Sequence, residues 1–259
     1  MLLQGKVAIV SGIGPGMGRD ISVAFAREGA DVVLGARTPG ALESVAADVQ
    51  ALGRRAVAVP TDIARAEDCR RLAEAALDAF GRIDVLVNNA YHPGAYVPVE
   101  QAKMEDWRAT FDVNVFGSIQ LSQAVIPAMK RQGGGSIVMI NTMSMRVIEP
   151  LFGSYAASKG ALMTAAQTMA KELGQYRIRV NSIVPGYIWG PSLEGWFKKV
   201  AQQQGTTPEA VYDAIAARAS LNHIPTSAEI ADTVLFFASD LSRVVTGQAL
   251  DVNAGHHFH

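Results

Sequence analysis

The chain alternates short apolar runs with longer segments of helical character along its length. The short runs are rich in β-branched residues and are apolar at odd and even positions alike, which is typical of strands covered on both faces. Strands and helices that alternate at this spacing connect through right-handed crossovers. We therefore predict an α/β fold with a doubly wound parallel sheet of about seven strands. The predicted strands are Val7–Val10, Asp31–Ala36, Ala56–Pro60, Ile83–Val87, Ser136–Asn141, Ile178–Val184 and Gln248–Val252, and the predicted helices are Gly16–Glu28, Gly40–Leu52, Ala64–Phe80, Lys103–Gln132 and Tyr155–Leu173.

No linker, low-complexity tract or internal repeat interrupts this pattern, so we predict a single domain spanning residues 1–259. The segment 185–225 is less regular and carries several aromatic side chains, among them Trp189 and Trp196. Ligands of open α/β sheets bind beyond the carboxyl ends of the strands, where this segment begins. We predict that residues 185–225 form a substrate lid; a plain packing insertion is the alternative.

Charge and cysteine content narrow the classes of function. Lys and Arg (23) nearly balance Asp and Glu (24), so the chain lacks the basic excess that tracks a nucleic-acid backbone. The single cysteine, Cys69, cannot form an internal disulfide. His92 and His223 lack partners at metal-ligand spacing and are interpreted as loop residues, so we expect no metal site. No apolar run approaches the ~20 residues of a membrane span and no targeting segment precedes the first strand, so we expect a cytoplasmic protein without a nucleic-acid or membrane partner.

A glycine-rich string, Ser11-Gly12-Ile13-Gly14-Pro15-Gly16-Met17-Gly18, follows the first predicted strand and opens the first predicted helix. Glycines at this place permit a tight turn and let the backbone approach a pyrophosphate, which then lies against the helix N-terminus. Such a string is weak by itself, but its position between a strand and a helix strengthens it. We predict a dinucleotide site at Gly12, Gly14, Gly16, Met17 and Gly18.

Further short motifs follow in order along the chain. The glycine spacing Gly-x3-Gly-x-Gly, Asn88-Asn89-Ala90 after the fourth strand, Tyr155-x3-Lys159 and Pro185-Gly186 together resemble the short-chain dehydrogenase/reductase family in its NAD(P)-dependent type. The resemblance covers essentially the whole chain. It implies a Rossmann-like fold, a nicotinamide cofactor, and a homotetramer or dimer packed through Lys103–Gln132 and Tyr155–Leu173. It also implies that the cofactor contacts Asp62, Ile63, Asn88, Ala90, Tyr155, Lys159, Pro185, Gly186 and Ile188.

The end of the second predicted strand indicates which cofactor is preferred. An acidic residue there would bind the adenosine ribose hydroxyls and repel a 2′-phosphate. This chain has Ala36 at that place, followed by Arg37, whose guanidinium can pair with a 2′-phosphate. The pattern favours NADP(H), while NAD(H) stays possible because Arg37 can also be read as a solvated surface charge.

Tyr155 and Lys159 are four residues apart on a predicted helix, so their side chains project from one face. A free tyrosine has a pKa of about 10, and a neighbouring ammonium stabilises its phenolate. Tyr155 is therefore our predicted general acid/base, and the resemblance implies that Lys159 also binds the nicotinamide ribose. Asparagine is unfavourable inside a helix, and the resemblance implies that Asn114 holds a water against the lysine; a buried polar residue between helices is the alternative.

The resemblance places a serine, which polarises the substrate oxygen, thirteen residues before the tyrosine. That position is Thr142 in this chain, and its hydroxyl can donate the same hydrogen bond. Ser144 would serve instead if the loop were shifted. The family also has a glycine where this chain has Tyr91, so we expect Tyr91 to meet the substrate. We expect the same of Ser144, which is near Thr142, and of Trp189, which is in the predicted lid.

Three functions are consistent with these motifs. The favoured one is an NADP(H)-preferring oxidoreductase that interconverts a secondary alcohol and its ketone, acting as a carbonyl reductase. A 3-oxoacyl thioester (acyl-carrier-protein) reductase shares every motif. A non-catalytic nucleotide-binding sensor is the third; such proteins usually lose the tyrosine or the lysine, and this chain retains both Tyr155 and Lys159.

Overall fold

The structure is a computed structural model that describes residues 1–258. Seven parallel strands form one sheet in the order β3-β2-β1-β4-β5-β6-β7. The chain builds the sheet outward from β1 in one direction and then from β4 in the other, and β1 and β4 are hydrogen-bonded neighbours. A crevice therefore forms beyond the carboxyl ends of those two strands. The strands are β1 (Val7–Ser11), β2 (Asp31–Ala36), β3 (Ala56–Pro60), β4 (Val85–Asn88), β5 (Gly135–Ile140), β6 (Ile178–Pro185) and β7 (Ala249–Val252).

Helices cover both faces of the sheet, as a doubly wound fold requires. They are α1 (Met17–Arg27), α2 (Pro39–Ala51), α3 (Ala66–Phe80), α4 (Met104–Phe111), α5 (Ser118–Gln132), α6 (Gly153–Leu173), α7 (Pro191–Gln204), α8 (Pro208–Ala216) and α9 (Ser227–Ala238). Among the described residues, no helix combines the length and the apolar character needed to cross a membrane.

Side-chain alternation along the strands divides the core into two layers. Ala8 and Val10 of β1 face one layer, which contains Phe25 of α1 and Phe237 of α9. Val7 and Ile9 of the same strand face the other layer, which α3, α5 and α6 complete. Because both faces of each inner strand are covered, both parities of these strands are apolar. The doubly wound, Rossmann-like fold predicted from the sequence is confirmed.

Two predicted segments differ most from the structure. The predicted helix Lys103–Gln132 is divided into α4, a π-helical turn at Asp112–Gly117, and α5. A π turn contains one extra residue for a single turn, and the apolar pattern runs across it without a visible break. The fourth strand begins and ends later than the predicted Ile83–Val87, because Asn88 still pairs with β1 and β5. The segment 185–225 contains α7 and α8, which build a small apolar cluster of their own around Phe197.

Candidate active site

A groove of about 590 Å³ runs along the carboxyl ends of the strands, from the glycine-rich turn after β1 to the first residues of α7. It contains groups from the ends of β2, β3, β4, β5 and β6, which the strand order brings to one edge of the sheet. Most of the site residues predicted from the sequence lie in its wall. These are Gly12, Gly14, Gly16, Met17, Gly18, Arg37, Asp62, Ile63, Ala90, Tyr91, Thr142, Tyr155, Lys159, Pro185, Gly186, Ile188 and Trp189.

Asn88, which the family resemblance implies as a cofactor contact, is not among the residues that line the groove. Its buried amide donates to the hydroxyl of Ser122 on α5 at 3.1 Å. The next residue, Asn89, lines the groove instead and donates to the Gly12 carbonyl oxygen at 2.7 Å. Successive residues of a strand face opposite sides of the sheet. The Asn88 side chain therefore contacts α5, and the Asn89 side chain lies in the wall of the groove.

The glycine-rich turn has the shape of an anion cradle. Gly12 has φ +84°, and a Cβ there would collide with the Ala90 backbone, so the turn packs directly on the end of β4. Gly14 and Gly16 have nothing within 4 Å of a hypothetical Cβ, which leaves open space beside the chain. Gly16 precedes α1 without a side-chain cap, so the first N–H groups of α1 stay available. These features fit the pyrophosphate of a dinucleotide.

The adenosine end of the groove follows β2 and β3. Ala36 and Arg37 line it, and the Arg37 side chain is exposed and pairs with no acidic side chain within residues 1–258. Asp62 is occupied with its own turn, since its carboxylate accepts from the Ala64 amide at 3.1 Å. A cationic group without a protein partner therefore stands where an acidic residue would repel a 2′-phosphate.

Tyr155 and Lys159 lie one turn apart on α6 at the other end of the groove. Lys159 Nζ lies 6.0 Å from the centroid of the Tyr155 ring and donates to the Ile140 carbonyl oxygen at 2.6 Å. Burial raises the pKa of Tyr155 to about 12; the Thr142 hydroxyl lowers this pKa and Tyr91 raises it. Burial also lowers the pKa of Lys159 to about 7. A positive charge bound in the groove would lower the pKa of Tyr155 toward the range of a proton donor and acceptor.

Thr142 follows β5 and lines the groove, while Ser144 does not. The Thr142 oxygen accepts from the Ser144 amide at 3.2 Å and its hydroxyl donates to the Ser144 hydroxyl at 3.3 Å. Ser144 thus holds the Thr142 side chain in place through two hydrogen bonds. Of the two hydroxyls considered from the sequence, Thr142 is the one beside Tyr155.

Asn114 is buried in the π-helical turn and is absent from the groove wall. Its side chain accepts from the His92 amide at 2.7 Å and donates to the His92 carbonyl oxygen at 3.0 Å. It also donates to Ser158 Oγ at 2.9 Å, and Ser158 donates to the Tyr155 carbonyl oxygen at 2.7 Å. Asn114 therefore ties the loop after β4 to the helix that carries Tyr155.

Sequence reasoning missed several residues of the site. Asn89 was quoted only as part of a motif, although strand alternation could have separated it from Asn88. His92 was interpreted as a loop residue, and the structure places it in a loop that lines the groove. Pro191, Ser192 and Leu193 complete the wall from the start of α7, and no local pattern marks them.

Comparisons with known proteins agree with this geometry. The family model described as Enoyl-(Acyl carrier protein) reductase matches residues 12–257. The 7alpha-hydroxysteroid dehydrogenase of Escherichia coli K12 is 35% identical over 253 residues, covering 98% of this chain and 94% of its own length. The 3-oxoacyl-(acyl-carrier-protein) reductase of Thermotoga maritima is 33% identical over 255 residues, covering 98% and 99%.

Solved structures are similar over the same length. L-sorbose reductase from Gluconobacter frateurii, complexed with NADPH and L-sorbose, has a TM-score of 0.93 at 29% identity, covering 99% of this chain and 98% of its own. A 7alpha-hydroxysteroid dehydrogenase complexed with NADH and a 7-oxo bile acid has a TM-score of 0.87 at 35% identity, covering 98% and 94%. The family match and these relatives each span nearly the whole chain. The chain therefore belongs to the short-chain dehydrogenase/reductase family and is an oxidoreductase with a nicotinamide cofactor.

Proposed function

We propose that the chain is an NADP(H)-preferring oxidoreductase that interconverts a secondary alcohol and its ketone, with Tyr155 as the general acid/base. One observation carries the proposal: the Tyr155 phenol, the Thr142 hydroxyl and the Lys159 amine stand at one end of a groove whose other end holds the glycine cradle and Arg37. A dinucleotide is the ligand that spans such ends. The bound cofactor supplies or accepts the hydride.

Each side chain has a separate task in this proposal. Thr142 turns its single hydroxyl proton from Ser144 Oγ to the substrate oxygen, and this hydrogen bond polarises the carbonyl during reduction. Tyr155 gives its phenolic proton to that oxygen in reduction and takes it back in oxidation. Lys159, which donates to the Ile140 carbonyl oxygen, binds the nicotinamide ribose. In its protonated form, Lys159 also stabilises the Tyr155 phenolate. Asn114 is a positioning residue that acts through Ser158 on α6.

Cofactor preference follows from the exposed guanidinium after β2. Arg37 is free to pair with a 2′-phosphate, and Ala36 removes the carboxylate that would repel it. Known relatives differ in this respect, since one compared structure holds NADPH and another holds NADH. The preference for NADP(H) therefore rests on these two residues of this chain.

The test is NADPH oxidation, and separately NADH oxidation, against a panel of aliphatic and aromatic ketones. We expect turnover that prefers NADPH and falls by about 10³-fold or more in Tyr155→Phe, because the proton donor is lost. Arg37→Gln should weaken NADPH binding about tenfold and leave NADH binding little changed, because one charge-assisted hydrogen bond is lost. The matched control is Arg243→Gln, an exposed arginine outside the groove wall.

Two outcomes would redirect the proposal. Equal use of NADH by the wild type would remove the role of Arg37 and leave the chemistry in place. Tight cofactor binding without turnover of any ketone would favour the nucleotide-binding sensor.

A second candidate, reduction of a 3-oxoacyl thioester, is favoured by the 33% identity to the Thermotoga maritima reductase. Acetoacetyl-coenzyme A in the same assay distinguishes it from the first. A kcat/KM for this thioester well above that for every simple ketone would select the second candidate.

A further inference from the structure

The last residues of the described chain fold into a compact turn directly after β7. The side-chain oxygen of Asn253 accepts from the amides of Gly255 and His256 at 2.9 and 3.1 Å. Its amide nitrogen donates to the His257 carbonyl oxygen at 3.1 Å. Asn253 is buried, so one buried polar side chain organises the whole turn.

This turn is attached to the end of the lid. The Ser220 and Leu221 amides, which follow α8, donate to the carbonyl oxygens of Gly255 and Ala254 at 3.2 and 3.1 Å. Ala254 has φ +55°, a conformation that is unfavourable for a residue with a Cβ and persists only where the surroundings hold it. A Cβ on Gly255 would come within 2.8 Å of Ser220. The turn and the lid are therefore fitted closely to each other.

Contacts between aromatic rings attach the turn to the lid at a second place. The His256 ring lies 5.7 Å from the ring of Tyr187, which follows β6. Tyr187 is stacked on Trp196 of α7 with centroids 6.4 Å apart and planes at 14°. The first residues of the same helix, Pro191 to Leu193, line the groove. A displacement of His256 would thus be transmitted through two rings to the wall of the substrate end.

The lid needs such attachments because its core is separate. Phe197, Val211 and Ile215 belong to an apolar cluster distinct from the two clusters on the faces of the sheet. Helices α7 and α8 pack chiefly on each other. The position of the lid over the groove is consequently set at its edges.

We propose that the C-terminal turn positions the lid over the substrate end of the groove, with His256 as a positioning residue that acts through Tyr187. The hydrogen bonds of the turn to Ser220 and Leu221 and the contact of His256 with Tyr187 support this position of the lid. Its effect on catalysis rests on the proposed function.

The lid position is tested by hydrogen exchange and mass spectrometry on the full chain with saturating NADPH. In His256→Ala we expect exchange at least threefold faster in peptides covering α7 and α8, with no change in peptides covering β1, β4 and β5. His256→Phe retains a ring against Tyr187 and should behave like the wild type. His257→Ala is the matched control, because only the main chain of His257 is held by Asn253.

The catalytic arm compares the same variants with the best ketone of the panel. His256→Ala should raise the KM for the ketone at least fivefold while the Kd for NADPH changes less than twofold. Tyr187→Leu removes the same contact from the other side and should reproduce both results if His256→Ala folds poorly.

Three results would overturn the proposal: lid exchange in His256→Ala equal to the wild type, an equal effect in His257→Ala, or faster exchange spread evenly over the sheet. If no ketone is reduced by the wild type, the proposed function fails while the exchange data still decide the position of the lid.

Discussion

At the scale of single residues, the hydroxyl beside Tyr155 is the group whose role the structure makes most testable. Thr142 carries that hydroxyl at the end of β5, and the Ser144 amide and hydroxyl hold it in place. A valine would keep the branched shape of Thr142 and put a methyl group in place of the hydroxyl, which removes the donor to the substrate and the acceptor of the Ser144 amide. A serine would keep the oxygen and remove only the methyl group.

We expect Thr142→Val to lower kcat for ketone reduction by about 10²-fold or more, because one preorganised donor to the substrate oxygen is lost. Thr142→Ser should stay within threefold of the wild type. Steady-state kinetics with saturating NADPH measure both variants. If Ser144→Ala were the more damaging change and Thr142→Val retained its rate, Ser144 would be the polarising residue.

Lys159 is a second residue with a measurable signature, because burial lowers its pKa to about 7 while the unfolded chain keeps a value near ~10.4. Between these values the unfolded state binds a proton that the folded state does not, so the stability linked to Lys159 rises with pH across this window and is constant below it. The free energy of unfolding of the wild type, minus that of Lys159→Met, should therefore increase from pH 7.5 to 9.5, by up to about 1.4 kcal/mol per pH unit.

Urea unfolding at several pH values gives this difference directly. Lys171→Met is the control, since Lys171 is exposed on the same helix. A flat difference for Lys159 would mean that its amine is hydrated in the folded state.

At the scale of elements, an ion pair joins the turn after β5 to the last strand. Arg146 Nη1 lies 2.6 Å from Asp251 Oδ2, Arg146 Nη2 donates to the Ala249 carbonyl oxygen, and both side chains are largely buried. Arg146 stands four residues after Thr142, so the pair holds the turn that carries this hydroxyl. Removing one partner leaves a buried charge without compensation.

We expect Arg146→Met to lower the free energy of unfolding by about 3 kcal/mol, and Arg146→Met with Asp251→Leu to recover part of that loss. Denaturant unfolding provides the measurement. Arg108→Met is a suitable comparison, because its pair with Glu105 is exposed at 3.8 Å and should contribute less than about 0.5 kcal/mol. Equal losses for Arg146→Met and Arg108→Met would show that the buried pair does not hold the turn.

The strands were predictable from sequence because both faces of each inner strand are covered. The predicted bounds of Asp31–Ala36 coincide with β2, and those of most other strands differ by one residue at an end. Runs of β-branched residues record that burial directly. The bounds of Ala56–Pro60 also coincide with β3, although this strand is at the edge of the sheet and is mostly not buried. Most of the predicted site residues line the groove because they follow strands that end at the same edge of the sheet, whereas Asn88, Asn114 and Ser144 do not line it.

Other features leave no local signal. The π-helical turn at Asp112–Gly117 changes the phase of the helix without altering its apolar composition. The difference between Asn88 and Asn89 depends on the exact residue at which β4 ends. The Arg146–Asp251 pair joins residues 105 positions apart, which only the folded chain brings together.

At the scale of the whole molecule, an exposed phenylalanine bears on assembly. Phe116 is 52% exposed in the π-helical turn, within the region expected to pack against a second copy. A second copy packed through this region would cover the Phe116 ring. We expect light scattering to give a multiple of the 27.5 kDa chain mass and Phe116→Glu to lower it. A wild-type mass of 27.5 kDa would rule out the expected homotetramer or dimer.

The groups at the two ends of the groove come from different parts of the chain. The glycine-rich turn and Arg37 follow β1 and β2, whereas Thr142, Tyr155 and the lid follow β4 in sequence. Under the proposed function, changes that alter cofactor preference fall near Arg37 and changes that alter substrate recognition fall after β4. We expect their effects to be nearly additive.

The two ends of the predicted lid lie side by side between β6 and α9. Trp189 and Thr226 face each other in an isolated parallel bridge, and the Trp189 amide donates to the Pro225 carbonyl oxygen at 2.8 Å. We expect changes of length or sequence between them to leave these two ends in place, provided that Pro191 to Leu193 in the groove wall and the contacts of Ser220 and Leu221 with the C-terminal turn are kept. We therefore expect a natural or engineered replacement of this stretch to keep the part of the groove that the strand ends form.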